Sequence, residues 1–121
     1  MRVRDATPED VPAVATVVDA GGLALSHDAL VDAVDADAVL VAVTEGRILG
    51  ALVLEGDAIE AIAVRPGRRD QGIGTALVAA AADRRERLVA EFDSRVRPFW
   101  ASLGFAIEPA ADPGRLRGVR T

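Results

Sequence analysis

The stretch that most constrains this chain is Ile59 to Leu77, IEAIAVRPGRRDQGIGTAL. It opens on an apolar run, Ile59, Ala61, Ile62, Ala63 and Val64, which reads as a buried strand. Arg65-Pro66-Gly67 stops the strand. Arg68 and Arg69 follow, then Gln71-Gly72-Ile73-Gly74-Thr75. Residues 75–82 are small or helix-forming, so a helix begins here. The first amides of a helix have no partner inside it, and the helix dipole adds partial positive charge at that end. Glycines let an anion approach the backbone, and arginines add full charges. A strand, a basic glycine-rich turn and a helix, in that order, therefore suit a pyrophosphate.

The motif narrows the choice of phosphate ligand. A Walker loop needs a lysine, and every basic residue here is arginine. A dinucleotide fingerprint needs glycine or alanine where Leu77 stands, and a long βαβ unit after it. What is present is [Q/R]-x-x-G-x-[G/A], as Arg69-Asp70-Gln71-Gly72-Ile73-Gly74. Placed after a strand ending Ile62-Ala63-Val64-x-Pro66, it resembles motif A of the GNAT superfamily, the acetyl-CoA-dependent N-acetyltransferases. A second block, Val96-Arg97-Pro98-Phe99-Trp100-Ala101-Ser102-Leu103-Gly104-Phe105, resembles the family's late helix and turn, usually FYxxxGF. Its distance from motif A is also as in the family. The order of elements extends the resemblance over nearly the whole chain.

At 121 residues the chain is one domain by size, residues 1–121. The resemblance implies an α+β (mixed α/β) GNAT-like fold. Its centre is a mixed, mostly antiparallel twisted sheet of about six or seven strands, flanked by about four helices. The residues agree. Met1 to Arg4 reads as a strand. Thr7-Pro8-Glu9-Asp10 reads as a helix start capped by Thr7, with Gly21-Gly22 as its stop. Ser26 starts a shorter helix with Leu30, Val31 and Val34 on one side. Ala38–Thr44, Ile48–Glu55 and Ala58–Val64 follow as an antiparallel meander with tight turns. The helix from Gly72 is expected to reach about Arg85, with Arg84, Arg85 and Arg87 complementing its negative end. Leu88–Phe92 reads as a parallel strand after a crossover. A helix capped by Asp93 or Ser94 and ending at Gly104 comes next, then strands Phe105–Glu108 and Leu116–Arg120.

Composition removes several function classes. The chain has no cysteine, so disulfides, thiolate metal sites and a thiol nucleophile are excluded. One histidine, His27, makes no multi-His site, and no EF-hand loop is present, so no metal is expected. A net charge of −5 opposes nucleic-acid binding. It slightly favours a cationic acceptor. No apolar run approaches membrane-spanning length, and the first residues lack a signal peptide's apolar stretch. A cytoplasmic protein is expected, monomeric or a homodimer through the late strand Leu116–Arg120.

By resemblance, acetyl-CoA is the cosubstrate and its pantetheine lies along the motif A strand, on the backbone of Ile62, Ala63 and Val64. The amides of Arg69, Gln71, Gly72, Ile73, Gly74 and Thr75 would hold the pyrophosphate, with the Arg69 side chain adding charge. The acceptor would be a primary amine on a small molecule, a peptide or a protein. An alkyl amine has a pKa of about 10, so a base must take its proton. Glu60, in phase with Ile62 and Val64, is the candidate base; among apolar neighbours its carboxyl would titrate high. Glu55, Asp57 and His27 are further choices. A strand amide near Ala63 or Val64 suits the oxyanion. Trp100 stands where the family has its tyrosine, which would protonate the leaving thiolate. Indole donates a hydrogen bond but no useful proton, so Trp100 is expected to pack on the pantetheine arm or in the core. The alternative reading is a non-catalytic acetyl-CoA-binding module acting as sensor or partner subunit.

Overall fold

The computed structural model describes residues 1–20 and 25–121. Seven strands form one sheet: β1 (Arg2–Asp5), β2 (Val39–Thr44), β3 (Arg47–Glu55), β4 (Ala58–Val64), β5 (Leu88–Asp93), β6 (Ala106–Pro109) and β7 (Arg115–Arg120). Their order is β1-β2-β3-β4-β5-β7-β6. All neighbours are antiparallel except β4 and β5, which run parallel. The helices are α1 (Val11–Ala20), α2 (His27–Asp35), α3 (Ile73–Ala82) and α4 (Arg97–Ser102). No helix among the described residues is long and apolar enough to cross a membrane. The expected helix stop Gly21-Gly22 lies outside the described residues.

The sheet has an apolar core on each face, because strands buried on both sides need apolar residues at consecutive positions. β3 shows this, with Ile48 to Leu54 all buried. One core joins α3, α4 and the inner residues of β5 through Leu52, Leu77, Leu88, Phe92 and Trp100. The other joins α1 and α2 to β2, β3 and β4 through Val14, Val17, Leu30, Val41 and Ala63. α3 lies so close to β3 that a Cβ on Gly50 would sit 2.9 Å from Ile73 Cγ2 and 3.1 Å from the Ala63 carbonyl oxygen.

Two irregularities shape the middle of the sheet. Val53 pairs with Ala61 and Leu54 with Ile59, so Glu60 is an extra residue, a bulge. A bulge bends and overtwists its strand. The parallel pairing of β4 with β5 then extends only over Ala58–Val89 and Ile59–Ala90. Beyond it, β5 continues along β7 from Leu88–Arg120 to Asp93–Arg115, while β4 continues along β3 alone. Phe92 of β5 stacks on Trp100 of α4 at 5.2 Å, and Trp100 meets Phe99 and Phe105 edge-on at 5.2 and 5.1 Å. This aromatic cluster ties β5 to α4 and away from β4. A wedge opens between the two strands.

Three expectations change. The first helix begins as a 3₁₀ turn, Pro8–Asp10. There the Asp10 carboxylate accepts from the Thr7 amide at 2.8 Å and from the Thr7 hydroxyl at 3.2 Å, so Thr7 and Asp10 close the end together as a capping box. α3 stops at Ala82, and the arginines beyond it tie strands and turns together instead of meeting its dipole. Arg84 pairs with Asp5, Arg87 with Asp57, and Arg85 Nε donates to the Gly56 carbonyl. The late strand Leu116–Arg120 is no free edge for a dimer: β7 lies between β5 and β6, and the edges are β1 and β6.

Gly50→Ala should cost about 1–3 kcal/mol, because the backbone oxygen of Ala63 cannot retreat. Gly67→Ala, with open space around it, should fall within about 0.5 kcal/mol of wild type in chemical denaturation. Asp10 gives a second expectation. Hydrogen bonds from Arg4, assisted by the Thr7 amide, outweigh desolvation and bring its carboxyl from 3.8 to about 2. The carboxyl is thus a stronger acid folded than unfolded. Its contribution is full above pH 3.8 and is lost as pH falls toward 2. Asp10→Asn should cost about 1–2 kcal/mol at neutral pH and flatten this part of the acid limb in pH-dependent unfolding.

Candidate active site

β4 hands the chain to α3 through a turn fixed at its start. The Arg65 amide donates to the Leu49 carbonyl, and Arg65 Nε to the Ile48 carbonyl, both at 2.8 Å. Pro66–Arg68 form a 3₁₀ turn. Asp70 at φ 62° and Gly72 at φ 82° are both left-handed, which turns neighbouring N–H groups toward a common side. Gly72 is the N-cap of α3, and glycine reaches that conformation at no steric cost.

From Arg69 to Thr75 no amide donates to a described protein group; the first engaged one is that of Ala76, on the Gly72 carbonyl at 3.0 Å. Such a run of unpaired donors at a helix start is an anion cradle. It faces a cavity of about 600 Å³ lined by the exposed Arg68 and Arg69 as well as Ile62, Val64, Gly74 and Phe99. Gly74 has a packing role too, since a Cβ there would lie 3.3 Å from Phe99 Cζ. The expected cradle residue Gln71 is exposed and outside this lining.

The wedge holds a second cavity, about 360 Å³, lined by Glu60, Ile62, Glu91, Phe99, Trp100 and Arg115, among others. Ile62, Val96 and Phe99 line both cavities, so the cradle and the wedge form one path. Val96, at the junction, is an apolar side chain left 45% exposed.

Along β4 the backbone is half available. In an antiparallel pair, hydrogen-bonded and non-hydrogen-bonded residues alternate. The Arg65 amide bonds to Leu49, so Ala63 is the next residue engaged with β3, opposite Ala51. Ile62 and Val64 turn their N–H and C=O toward the wedge. Of the three backbone positions expected from the sequence, Ala63 is therefore occupied by β3, while Ile62 and Val64 are free of it. Arg69 Nε approaches the Val64 carbonyl at 3.5 Å.

The candidate bases separate clearly. Glu60 lines the wedge, but on its bulge it is exposed, not enclosed among apolar neighbours as expected. Asp57 is tied to Arg87 at 2.9 Å. Glu55 is exposed and lines neither cavity, and His27 lines a separate pocket with Val11 and Val31. Trp100 is only 4% exposed and belongs to the core, yet it also lines the wedge. Sequence reading missed Asp70, Val96, Phe99, Glu91 and Arg115 as lining residues. Glu91 falls inside the expected strand Leu88–Phe92, and Arg115 just before the expected strand Leu116–Arg120. At the wide end, the Arg95 amide and Nε donate to Asp93 at 2.8 and 3.0 Å and hold its carboxyl below the usual range.

These residues fit a diphosphate followed by an extended, amide-bearing arm. A sequence model of the acetyltransferase (GNAT) domain matches residues 35–107, more than half of the chain. The chain belongs to the GNAT acetyltransferase family. Acetyl-CoA is that family's cosubstrate. The fold is similar to Rv2747 from Mycobacterium tuberculosis, solved in complex with CoA and NLQ, with a TM-score of 0.84, 22% identity and 98% of each chain covered. It is also similar to N-acetylglutamate synthase from Neisseria gonorrhoeae complexed with coenzyme A and N-acetyl-glutamate, with a TM-score of 0.81 and 21% identity. That match covers 98% of this chain but 34% of the synthase. The ribosomal-protein-S18-alanine N-acetyltransferase of Escherichia coli has a TM-score of 0.77 at 18% identity, covering 98% of this chain and 90% of its own. No curated protein matches the chain by sequence.

A diphosphate placed in this cradle would meet charge as well as amides. Arg68→Gln combined with Arg69→Gln should weaken coenzyme A binding by about tenfold or more, read by titration calorimetry. Raising the salt concentration should shrink the difference from wild type.

Proposed function

We propose that residues 1–121 form one N-acetyltransferase domain that moves the acetyl group of acetyl-CoA to a primary amine. The observation that carries this reading is the continuous path from the unpaired amides of Arg69–Thr75, along the free edge of β4, to Glu60. Bound acetyl-CoA supplies an activated thioester. The amides of Arg69, Gln71, Gly72, Ile73, Gly74 and Thr75 hold the diphosphate, and Arg68 and Arg69 neutralise it. Ile62 and Val64 pair with the pantetheine amides, while Val96, Phe99 and Trp100 cover its apolar side.

Glu60 is the proton acceptor. Its exposure lets a water molecule relay the proton from the amine to the carboxylate. A wedge-facing β4 amide, of Ile62 or Val64, stabilises the oxyanion that develops on the carbonyl. Trp100 donates a hydrogen bond to the leaving sulfur, and water supplies its proton, because indole keeps its own. Two of the similar structures carry names that denote acetylation of an amino nitrogen, which supports an amine acceptor. A purely binding module, acting as sensor or partner subunit, would leave the carboxylates lining the wedge without a task. The acidic chain favours neither nucleic acid nor an anionic surface as partner. We place it in the cytoplasm, as a monomer or homodimer.

Thiol release from acetyl-CoA should depend on an added amine. Glu60→Gln should lower kcat about a hundredfold, with coenzyme A affinity retained. Release equal with and without every amine tested would sink the transferase reading, and full turnover by Glu60→Gln would remove that residue from it.

A further inference from the structure

The wedge has two unlike walls. Leu88, Ala90 and Phe92 of β5 point into the core shared with α3 and α4. By strand alternation Glu91 and Asp93 point to the opposite face. The same holds on β7: Leu116 packs on that core, and a Cβ on Gly118 would meet Phe92 and Phe105, so Arg115 and Arg117 face away with Glu91. On this second face α1 packs against β3 and β4 and α2 against β3, leaving Glu91 and Arg115 exposed beside the wedge.

The charges on this face are unevenly satisfied. Arg117, directly opposite Glu91, donates to Glu108 instead, at 3.1 Å. Asp93, directly opposite Arg115, accepts from the amide and the Nε of Arg95. Among the described residues, Glu91, Glu60 and Arg115 have no ion-pair partner. All three line the wedge cavity. Trp100 lines the same cavity from the side of the core. It is 4% exposed, and its indole N–H has no hydrogen-bond partner among the described residues, yet no sealed side-chain nitrogen or oxygen is left unpaired. That nitrogen therefore meets open space, and the residue lines the wedge.

We propose that the amine acceptor is a free amino acid, held as a zwitterion with its ammonium between Glu60 and Glu91 and its carboxylate on Arg115. This rests on the acetyl-transfer reading and names the substrate class of that site. Glu91 and Arg115 are diagonal neighbours across β5 and β7, with backbones about 7–8 Å apart. An ammonium and a carboxylate one carbon apart, each with one charge-assisted hydrogen bond, span that gap. A lone cationic amine leaves Arg115 unpaired, and a peptide N-terminus has an amide where Arg115 offers a guanidinium. Both are poorer ligands.

The test uses the coenzyme A complex of wild type, Glu91→Gln, Arg115→Gln and Arg115→Lys. Each is titrated calorimetrically with L-leucine, L-glutamate and L-arginine and with the α-carboxamide of each. The same compounds are run with acetyl-CoA in the thiol-release assay. Wild type should bind at least one amino acid about tenfold or more tighter than its amide. Arg115→Gln should bring the two to parity, and Arg115→Lys should restore part of the preference. Glu91→Gln should weaken both forms. Coenzyme A affinity should be unchanged in all three variants, which also reports that they fold. The proposal is overturned by amides binding as well as amino acids in wild type, by no amino acid binding, or by a preference that survives Arg115→Gln. Discriminating binding with no thiol release would keep the zwitterion site and remove acetyl transfer. Release with amides as readily as with amino acids would do the reverse.

Discussion

Hydrogen bonding between β4 and β5 stops after Ile59–Ala90, and the rest of the molecule depends on that stop. A continuous parallel pair would bury the strand edges and leave no room for a ligand. Here β4 keeps one full partner, β3, and loses the other. Unpaired backbone groups inside a protein are costly unless something satisfies them. The free edge of β4 is therefore a defect in the sheet, and on the proposed reading an amide-bearing chain would complete it. The bulge at Glu60 sits where the two strands begin to part, so the bend and a wedge-lining carboxylate come from the same residue.

Keeping a wedge open takes rigid walls. On one side they are the stacked Phe92 and Trp100 with Phe99 and Phe105 around them. Trp100 thus has a structural role whatever it donates to. On the other side, close packing of α3 at Gly50 holds the helix start against β3. The cradle amides then keep a fixed relation to the β4 edge. On the proposed reading, a diphosphate and its extended arm would meet one continuous strip of backbone, from the Arg69–Thr75 amides to Val64 and Ile62.

Charge is organised differently on the two sides of the strand gap. Toward α3 the unpaired charged groups among the described residues are the guanidinium groups of Arg68 and Arg69, suited to phosphate, together with the carboxylate of Asp70. Toward the uncovered face of β5 and β7 they are the carboxylates Glu60 and Glu91 and the lone Arg115. Elsewhere most acidic and basic groups that meet are paired, as in Arg84 with Asp5, Arg87 with Asp57 and Arg117 with Glu108. Those pairs are partly exposed and stabilise little, but they fix turns and strand ends. Glu60, Glu91 and Arg115, which line the wedge, belong to no such pair among the described residues.

Sequence alone determined the parts that are local. Strand periodicity, turn residues and the Arg69–Gly74 spacing place β2 to β4, the cradle and the start of α3, because each follows from interactions within a few residues. The resemblance carried by motif A, Phe99-Trp100 and Gly104-Phe105 added a mixed, mostly antiparallel sheet of six or seven strands flanked by about four helices, but not the strand order. Tertiary structure decided what depends on partners distant in the chain. Arg84, Arg85 and Arg87 look like helix-end charges until Asp5, Asp57 and Gly56 come within reach of them. Leu116–Arg120 looks like an edge until β6 folds back outside it. Ala63 looks as available as Val64 until the register with Ala51 claims it. Glu60 looks enclosed until the bulge lifts it out, and Glu91 and Arg115 become neighbours only when β5 and β7 align. Pattern along a chain encodes which face a residue prefers. Register across strands, set by the packing of the whole sheet, decides what it meets there.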